Sequence, residues 1–189
     1  EDGDVVLDLL CYRDAGIIEE LRMARLRSGH AVRPVGQLTR FRVPLGGSTV
    51  DQPTTIDPMR LGAIEFELPR IDYERRAGRK HRFVWGTGQS RDGNFLDNIT
   101  RVELRGDTSV ETKTWEASGC YPGEPVFVPR DAAAGEDDGW VVALRLDRAE
   151  DRTDLVVLDA QDIAGDPVAT VHLPARVPAG FHGNWCPDA

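Results

Sequence analysis

His182 sits in the run Leu173-Pro174-Ala175-Arg176-Val177-Pro178-Ala179-Gly180-Phe181-His182-Gly183-Asn184-Trp185, directly after a strand-like segment that closes on a proline. An imidazole is a common metal ligand. Gly180 and Gly183 allow the backbone to turn without steric penalty, so this ring can be aimed inward. Two carboxylates stand out beside it. Glu67 lies in Phe66-Glu67-Leu68-Pro69-Arg70-Ile71-Asp72, and Glu124 in Pro122-Gly123-Glu124-Pro125-Val126-Phe127-Val128-Pro129. Each acid is embedded in apolar and proline residues, where an unpaired charge is costly, so each calls for a partner. Residue types alone leave two readings of this set open. The histidine is a metal ligand or a satisfied structural residue, and the acids serve a site or merely close a salt bridge or a cap.

These groups must be positioned by short strands. Val5–Tyr12, Gln37–Leu45, Arg82–Thr87, Asn98–Arg105, Val110–Glu116, Pro125–Pro129, Trp140–Leu146, Leu155–Asp159 and Pro167–Leu173 are mostly rich in β-branched and aromatic residues and bounded by Gly, Asp, Pro or Asn. Asn98–Arg105 and Val110–Glu116 read as a hairpin turning through Gly106-Asp107-Thr108-Ser109, and Asp147–Asp154 as a polar link between two strands. Strands spaced in this way predict a sandwich, a barrel or a propeller. One helix is expected over Asp14–Arg27, capped by Asp14, with acids early, arginines late and Gly29 as the stop. Ala132–Asp138 reads as an acidic surface loop without calcium-loop spacing. Arg70–Arg82 reads as a basic, solvated hairpin end.

The chain has 189 residues, 40% hydrophobic and 29% charged, which suits a globular protein with one sizeable core or two small ones. A formal net charge of −9 argues against nucleic acid as a partner. Cys11, Cys120 and Cys186 are odd in number and far apart, without a metal-binding pair, which fits a reducing cytoplasm. No apolar run approaches the roughly 20 residues that span a bilayer, and no secretory signal pattern is visible. The opening Glu1-Asp2-Gly3-Asp4 runs straight into a strand pattern, as expected of the middle of a longer protein.

Several linked segments, in order, resemble the carotenoid cleavage oxygenases. Phe66–Asp72 followed by Gly78-Arg79-Lys80-His81-Arg82-Phe83 is similar to that family's FEFPxIN segment and its downstream G(K/R)xxRY strand. Gly123–Arg130 followed by Glu136-Asp137-Asp138-Gly139 is similar to its EPxFVP…EDDG segment. Val157-Leu158-Asp159-Ala160 and Val171–Trp185 complete the series, so the likeness runs from about Val5 to Trp185.

The resemblance implies an all-β fold: the C-terminal blades of a seven-bladed β-propeller, with the one helix belonging to a cap. Residues 1–189 would be the C-terminal part of a single such domain, its N-terminal part absent. His182 would be the last of four histidine ligands of Fe(2+). Glu67 and Glu124 would not touch iron but would accept hydrogen bonds from the outer ring N–H groups of ligand histidines, fixing tautomer and orientation. Phe181 and Trp185 would pack around the His182 ring. His30, His81 and His172 match no ligand position and read as surface or structural.

The implied activity is cleavage of a carbon–carbon double bond of a carotenoid, an apocarotenoid or a stilbene such as lignostilbene, with dioxygen and no organic cofactor. The implied partners are that small hydrophobic substrate, dioxygen and the N-terminal part of the same protein, and a peripheral membrane contact is compatible with so apolar a substrate. Two alternatives stand beside it: a non-redox isomerohydrolase of the same family, and a metal-free propeller interaction module.

Overall fold

Strands form where β-branched and aromatic residues cluster, and they break at glycine, proline and acidic runs. The computed structural model describes residues 3–46, 55–90, 95–106, 108–117 and 119–186. The first half contains β1 (Asp4–Cys11), α1 (Gly16–Glu20), α2 (Met23–Arg27), β2 (Gly36–Pro44), β3 (Met59–Arg70), α3 (Tyr73–Arg76) and β4 (Phe83–Gly88). The second contains β5 (Asn98–Arg105), β6 (Ser109–Glu116), β7 (Cys120–Pro122), β8 (Val126–Pro129), β9 (Gly139–Asp147), β10 (Arg152–Asp159) and β11 (Ala169–His172).

Among the described residues all pairings are antiparallel. One sheet runs β1-β2-β3-β4-β5-β6; the other runs β11-β10-β9-β7, with β8 also on β9. The expected hairpin is β5/β6, in register from Asn98 opposite Glu116 to Arg105 opposite Ser109. Of its turn, Asp107 lies outside the described residues, as do Glu1 and Asp2 of the opening run.

The two sheets pack face to face on Phe83, Trp85, Ile99, Trp115, Phe127, Val141, Val156 and Leu158. Trp85 stacks on Phe127 with centroids 4.6 Å apart. A second cluster, with Leu38, Leu61, Phe66, Val84, Val102 and Leu104, fills the other side of the first sheet. Burial on both sides explains why all of β4 is buried.

β3 is the corner of the first sheet. Its beginning pairs with β2 and its end with β4. Glu67 lies opposite Thr87 and Arg70 opposite Trp85, so one extra residue is accommodated between them. Residues three apart on a regular strand face opposite ways, but Thr87 and Trp85 share a face. The bulge therefore returns Glu67 and Arg70 to a common face. Leu68 within it takes a left-handed backbone with φ of 51°.

Gly86 makes this corner possible. A Cβ there would lie 2.2 Å from the Phe66 ring and 2.7 Å from the Glu67 carbonyl oxygen. A side chain can shift, whereas the backbone carbonyl of a paired strand yields poorly. Gly86→Ala is expected to destabilise the protein by about 1–3 kcal/mol, the usual cost of overpacking. The check is the denaturant midpoint, which should fall with an unchanged slope.

The helical segment lies where expected but is split. Arg22 is extended, with φ −64° and ψ 139°, and separates α1 from α2. Neither helix buries a residue, and Ile18 and Met23 are exposed. Without a packed face, nothing offsets the cost of a continuous helix. Asp14 bonds the Gly16 N–H at 2.8 Å, while Ala15 takes the cap position.

The loop over residues 131–138 is more than a surface feature. Glu136 accepts the backbone N–H groups of Arg82 and Phe83, and Asp137 pairs with Arg101 at 2.8 Å. Arg75 donates to the carbonyls of Ala134 and Gly135. The basic hairpin end and the acidic loop thus clamp the two sheets together, and Arg70–Arg82 is paired rather than simply solvated.

Candidate metal centre

Glu124 occupies a break in a strand. β7 and β8 both pair with β9, and between them Pro122 lies opposite Arg145 and Val126 opposite Val142. Four steps on one side match three on the other, so the chain bulges at Gly123-Glu124-Pro125. Pro125 has no N–H to continue a ladder, and the Gly123 N–H turns back to the Leu144 carbonyl at 2.7 Å. The Glu124 side chain is only 4% exposed.

His182 comes to this carboxylate from the far end of the chain. Its Nδ1 lies 3.0 Å from Glu124 Oε1, and the Gly183 N–H donates to Oε2 at 2.9 Å. With Glu124 ionised, Nδ1 carries the proton and Nε2 presents a lone pair. Nε2 has no protein partner among the described residues, and the side chain is 73% exposed. A neutral imidazole fixed by a carboxylate behind it, with the other nitrogen open, is the arrangement found at metal-binding histidines.

Arg70 completes the cluster. Its Nη1 lies 3.5 Å from Glu124 Oε2, and its Nη2 donates to Asn184 Oδ1 at 2.9 Å. Read from spacing, Arg70 belonged to the basic hairpin end. The bulge at Leu68 and Pro69, which no residue spacing reveals, is what aims it at Glu124.

Glu67 is held elsewhere. The Tyr12 hydroxyl donates to its Oε1, and the Leu68 N–H to Oε2 at 3.1 Å. Burial foremost, and then the bond to Glu67 and its charge, push the Tyr12 phenol upward. Glu67 is half-buried rather than enclosed. Its oxygens offer about four lone pairs, so capacity remains for one more donor. No histidine of this chain fills it among the described residues.

Two expectations about the His182 surroundings do not hold. Phe181 and Trp185 are 76% and 53% exposed, so they do not enclose the ring. Gly180 and Gly183 have no left-handed backbone, and a Cβ on either would meet open space. The ring is aimed by Glu124 and the Gly183 N–H, not by glycine freedom. The remaining histidines are engaged with acids: His30 with Glu20, His81 with Asp8 and His172 with Asp154.

Among the described residues no three His, Cys, Asp or Glu side chains converge as a complete metal site. The donor set fits a metal as one corner, an oriented imidazole with its outer carboxylate, and further ligands would have to come from elsewhere.

A family model described as retinal pigment epithelial membrane protein (RPE65) matches residues 1–187. The chain is 36% identical to carotenoid cleavage dioxygenase 8 homolog A, chloroplastic, of Oryza sativa subsp. japonica, over 99% of this chain and 34% of the relative. It is 33% identical to the apocarotenoid-15,15'-oxygenase of Synechocystis sp., over 98% of this chain and 36% of the relative. The chain therefore spans about a third of the length of these curated relatives. The crystal structure of a cobalt-substituted Synechocystis apocarotenoid oxygenase superposes with a TM-score of 0.77 at 29% identity, over 98% of this chain and 37% of that one. The sheets are blades of the same β-propeller architecture. By the match along nearly its whole length, the chain belongs to the carotenoid cleavage oxygenase family.

Proposed function

We propose that this chain is the C-terminal part of one β-propeller domain, and that the complete protein is a non-haem iron(II) dioxygenase cleaving an alkene of carotenoid, apocarotenoid or stilbene type. The observation that carries the reading is the His182 Nδ1 contact to buried Glu124 at 3.0 Å, which leaves Nε2 open. The relatives' names, a carotenoid cleavage dioxygenase and an apocarotenoid oxygenase, support the substrate class. The outer face of β1 supports the domain assignment. Val5, Leu7 and Leu9 stand 39–49% exposed there, an apolar strip suited to a further blade from the N-terminal part. Three cysteines without disulfides suit the cytoplasm.

In this reading His182 would hold iron through Nε2, beside three histidines from the N-terminal part. Bound there, iron(II) supplies redox chemistry toward dioxygen. The residues of this chain orient. Glu124 keeps the His182 proton on Nδ1, the Gly183 N–H fixes the carboxylate, and Glu67 accepts the outer N–H of a histidine from the N-terminal part. The overall reaction balances without another reductant. The carbon–carbon double bond breaks, both atoms of dioxygen enter the two carbonyl products, and the alkene is oxidised as dioxygen is reduced.

The test is incubation of the complete, iron-loaded protein with an apocarotenoid and with a hydroxystilbene under labelled dioxygen. Two carbonyl fragments carrying label are expected from one of them. Intact substrate in both incubations, from protein with full iron content, would sink the assignment.

A further inference from the structure

Arg70 touches both the carboxylate behind His182 and the segment that carries it. Its side chain is 16% exposed and its guanidinium lies 3.5 Å from Glu124, whose side chain is 4% exposed. Its other terminal nitrogen donates to Asn184 at 2.9 Å. The Tyr73 ring lies 5.1 Å from its centre on a further side. Glu124 thus receives His182 on one oxygen, and the Gly183 N–H and Arg70 on the other.

Two features argue that this geometry is built rather than incidental. The first is the bulge that carries Arg70 to the face of Glu67, at the cost of a left-handed leucine. Such a conformation is strained for a residue with a side chain and persists only where its surroundings impose it. The second is the fork itself. Arg70 uses separate nitrogens of one fixed plane, Nη1 for Glu124 and Nη2 for Asn184, whereas the three donors of a lysine radiate from a single nitrogen and lack that spread.

We propose that Arg70 is a positioning residue for His182, bridging Glu124 and Asn184 and setting the negative charge that Glu124 presents to the ring. This rests on the reading of His182 as an iron ligand. With Arg70 present, the carboxylate is shared between the guanidinium and the imidazole, and the ring stays a neutral donor. Without it, the full charge of Glu124 falls on the Nδ1–H, the ring becomes more electron-rich, and the oxidised metal is favoured. Asn184 supplies the mechanical half. Tied to Arg70, it fixes the residues just beyond His182 to the end of β3.

The complete protein is prepared as wild type, Arg70→Met, Arg70→Lys, Asn184→Ala and His182→Ala. The iron form is read by its Fe(III)/Fe(II) potential, and the apo form is titrated with cobalt(II), whose visible bands report ligand geometry. Arg70→Met is expected to lower the potential and shift the cobalt bands, and Arg70→Lys to restore the potential while the bands stay shifted. Asn184→Ala is expected to shift the bands with little change in potential. Wild-type potential and bands in folded Arg70→Met overturn the proposal. If that variant does not fold, wild-type bands in both Arg70→Lys and Asn184→Ala overturn it. The control separates the two levels: undiminished metal in His182→Ala means the ligand reading itself is wrong. Metal lost in His182→Ala together with a wild-type Arg70→Met removes only the role of Arg70.

Discussion

His182→Ala in the complete protein is expected to lose most of its bound iron and at least about a hundredfold of its activity. Removing a group that merely supports a metal ligand costs about 10–100-fold, so removing the ligand should cost no less. Glu124→Gln falls in that lower range. The amide keeps the size of the side chain but no longer offers two equivalent charged acceptors to the His182 ring and the Gly183 N–H, which now lie at 3.0 and 2.9 Å. His30→Ala and His172→Ala should keep their metal, because neither ring stands at the Glu124 corner: His30 lies against Glu20, and His172 against Asp154, which Arg145 and Arg152 also occupy. The measurements are metal content after desalting and turnover on the substrate that gives labelled products. A His182→Ala protein with wild-type iron content would remove the ligand assignment and the proposed activity with it.

The strands themselves were largely legible. β5 and β6 carry alternating β-branched residues on either side of a Gly-Asp-Thr-Ser turn, and they pair as that pattern implies. β3 escaped because Gly62, Leu68 and Pro69 interrupt it, and its two ends pair with different neighbours. β7, only three residues long, has no periodicity to find. The helical stretch at Asp14–Arg27 has good terminal signals, but no packed face keeps it whole, and terminal signals alone do not reveal that.

At the site, the partnership of Glu124 with His182 spans 58 residues. Nothing local to either residue announces it; the resemblance to a family implies that Glu124 backs a ligand histidine but not which one. Burying a carboxylate between prolines demanded some partner, and that physical demand was right. Which partner it found depends on how the segment after β11 returns across β10, a tertiary event. The environment of Phe181 and Trp185 was misjudged for the same reason. Enclosure depends on neighbouring surfaces, and the described residues leave both rings exposed.

Asp154→Ala is expected to destabilise the protein by about 1–3 kcal/mol, because it removes the buried acceptor that Arg145, Arg152 and His172 share. The Asp154 carboxylate is fully buried, and three cationic or polar side chains converge on it. Arg145 donates from β9, Arg152 reaches it at 2.8 Å, and His172 on β11 lies 2.7 Å away. Burial alone would raise its pKa, but the bonds from Arg145, His172 and Arg152 outweigh burial and hold the carboxyl well below the usual carboxylate range. A depressed carboxyl stabilises the fold fully above its unfolded value of about 4, and that contribution is lost as pH falls through the folded value. Denaturant unfolding at neutral pH and near pH 3 should therefore converge in Asp154→Ala relative to wild type. The consequence reaches the metal corner. Thr153, next in the chain, exchanges hydrogen bonds with Val177 at 2.9 and 3.2 Å, and its carbonyl receives the Leu173 N–H at 3.0 Å. The start of β10 thus anchors the run that ends at His182. Local opening there should free that run before the sheets part. Asp154→Ala should then release iron at denaturant concentrations where the Trp85 and Phe127 core is still packed. Loss of iron and of tryptophan signal at one common midpoint would show that the anchor and the core open together.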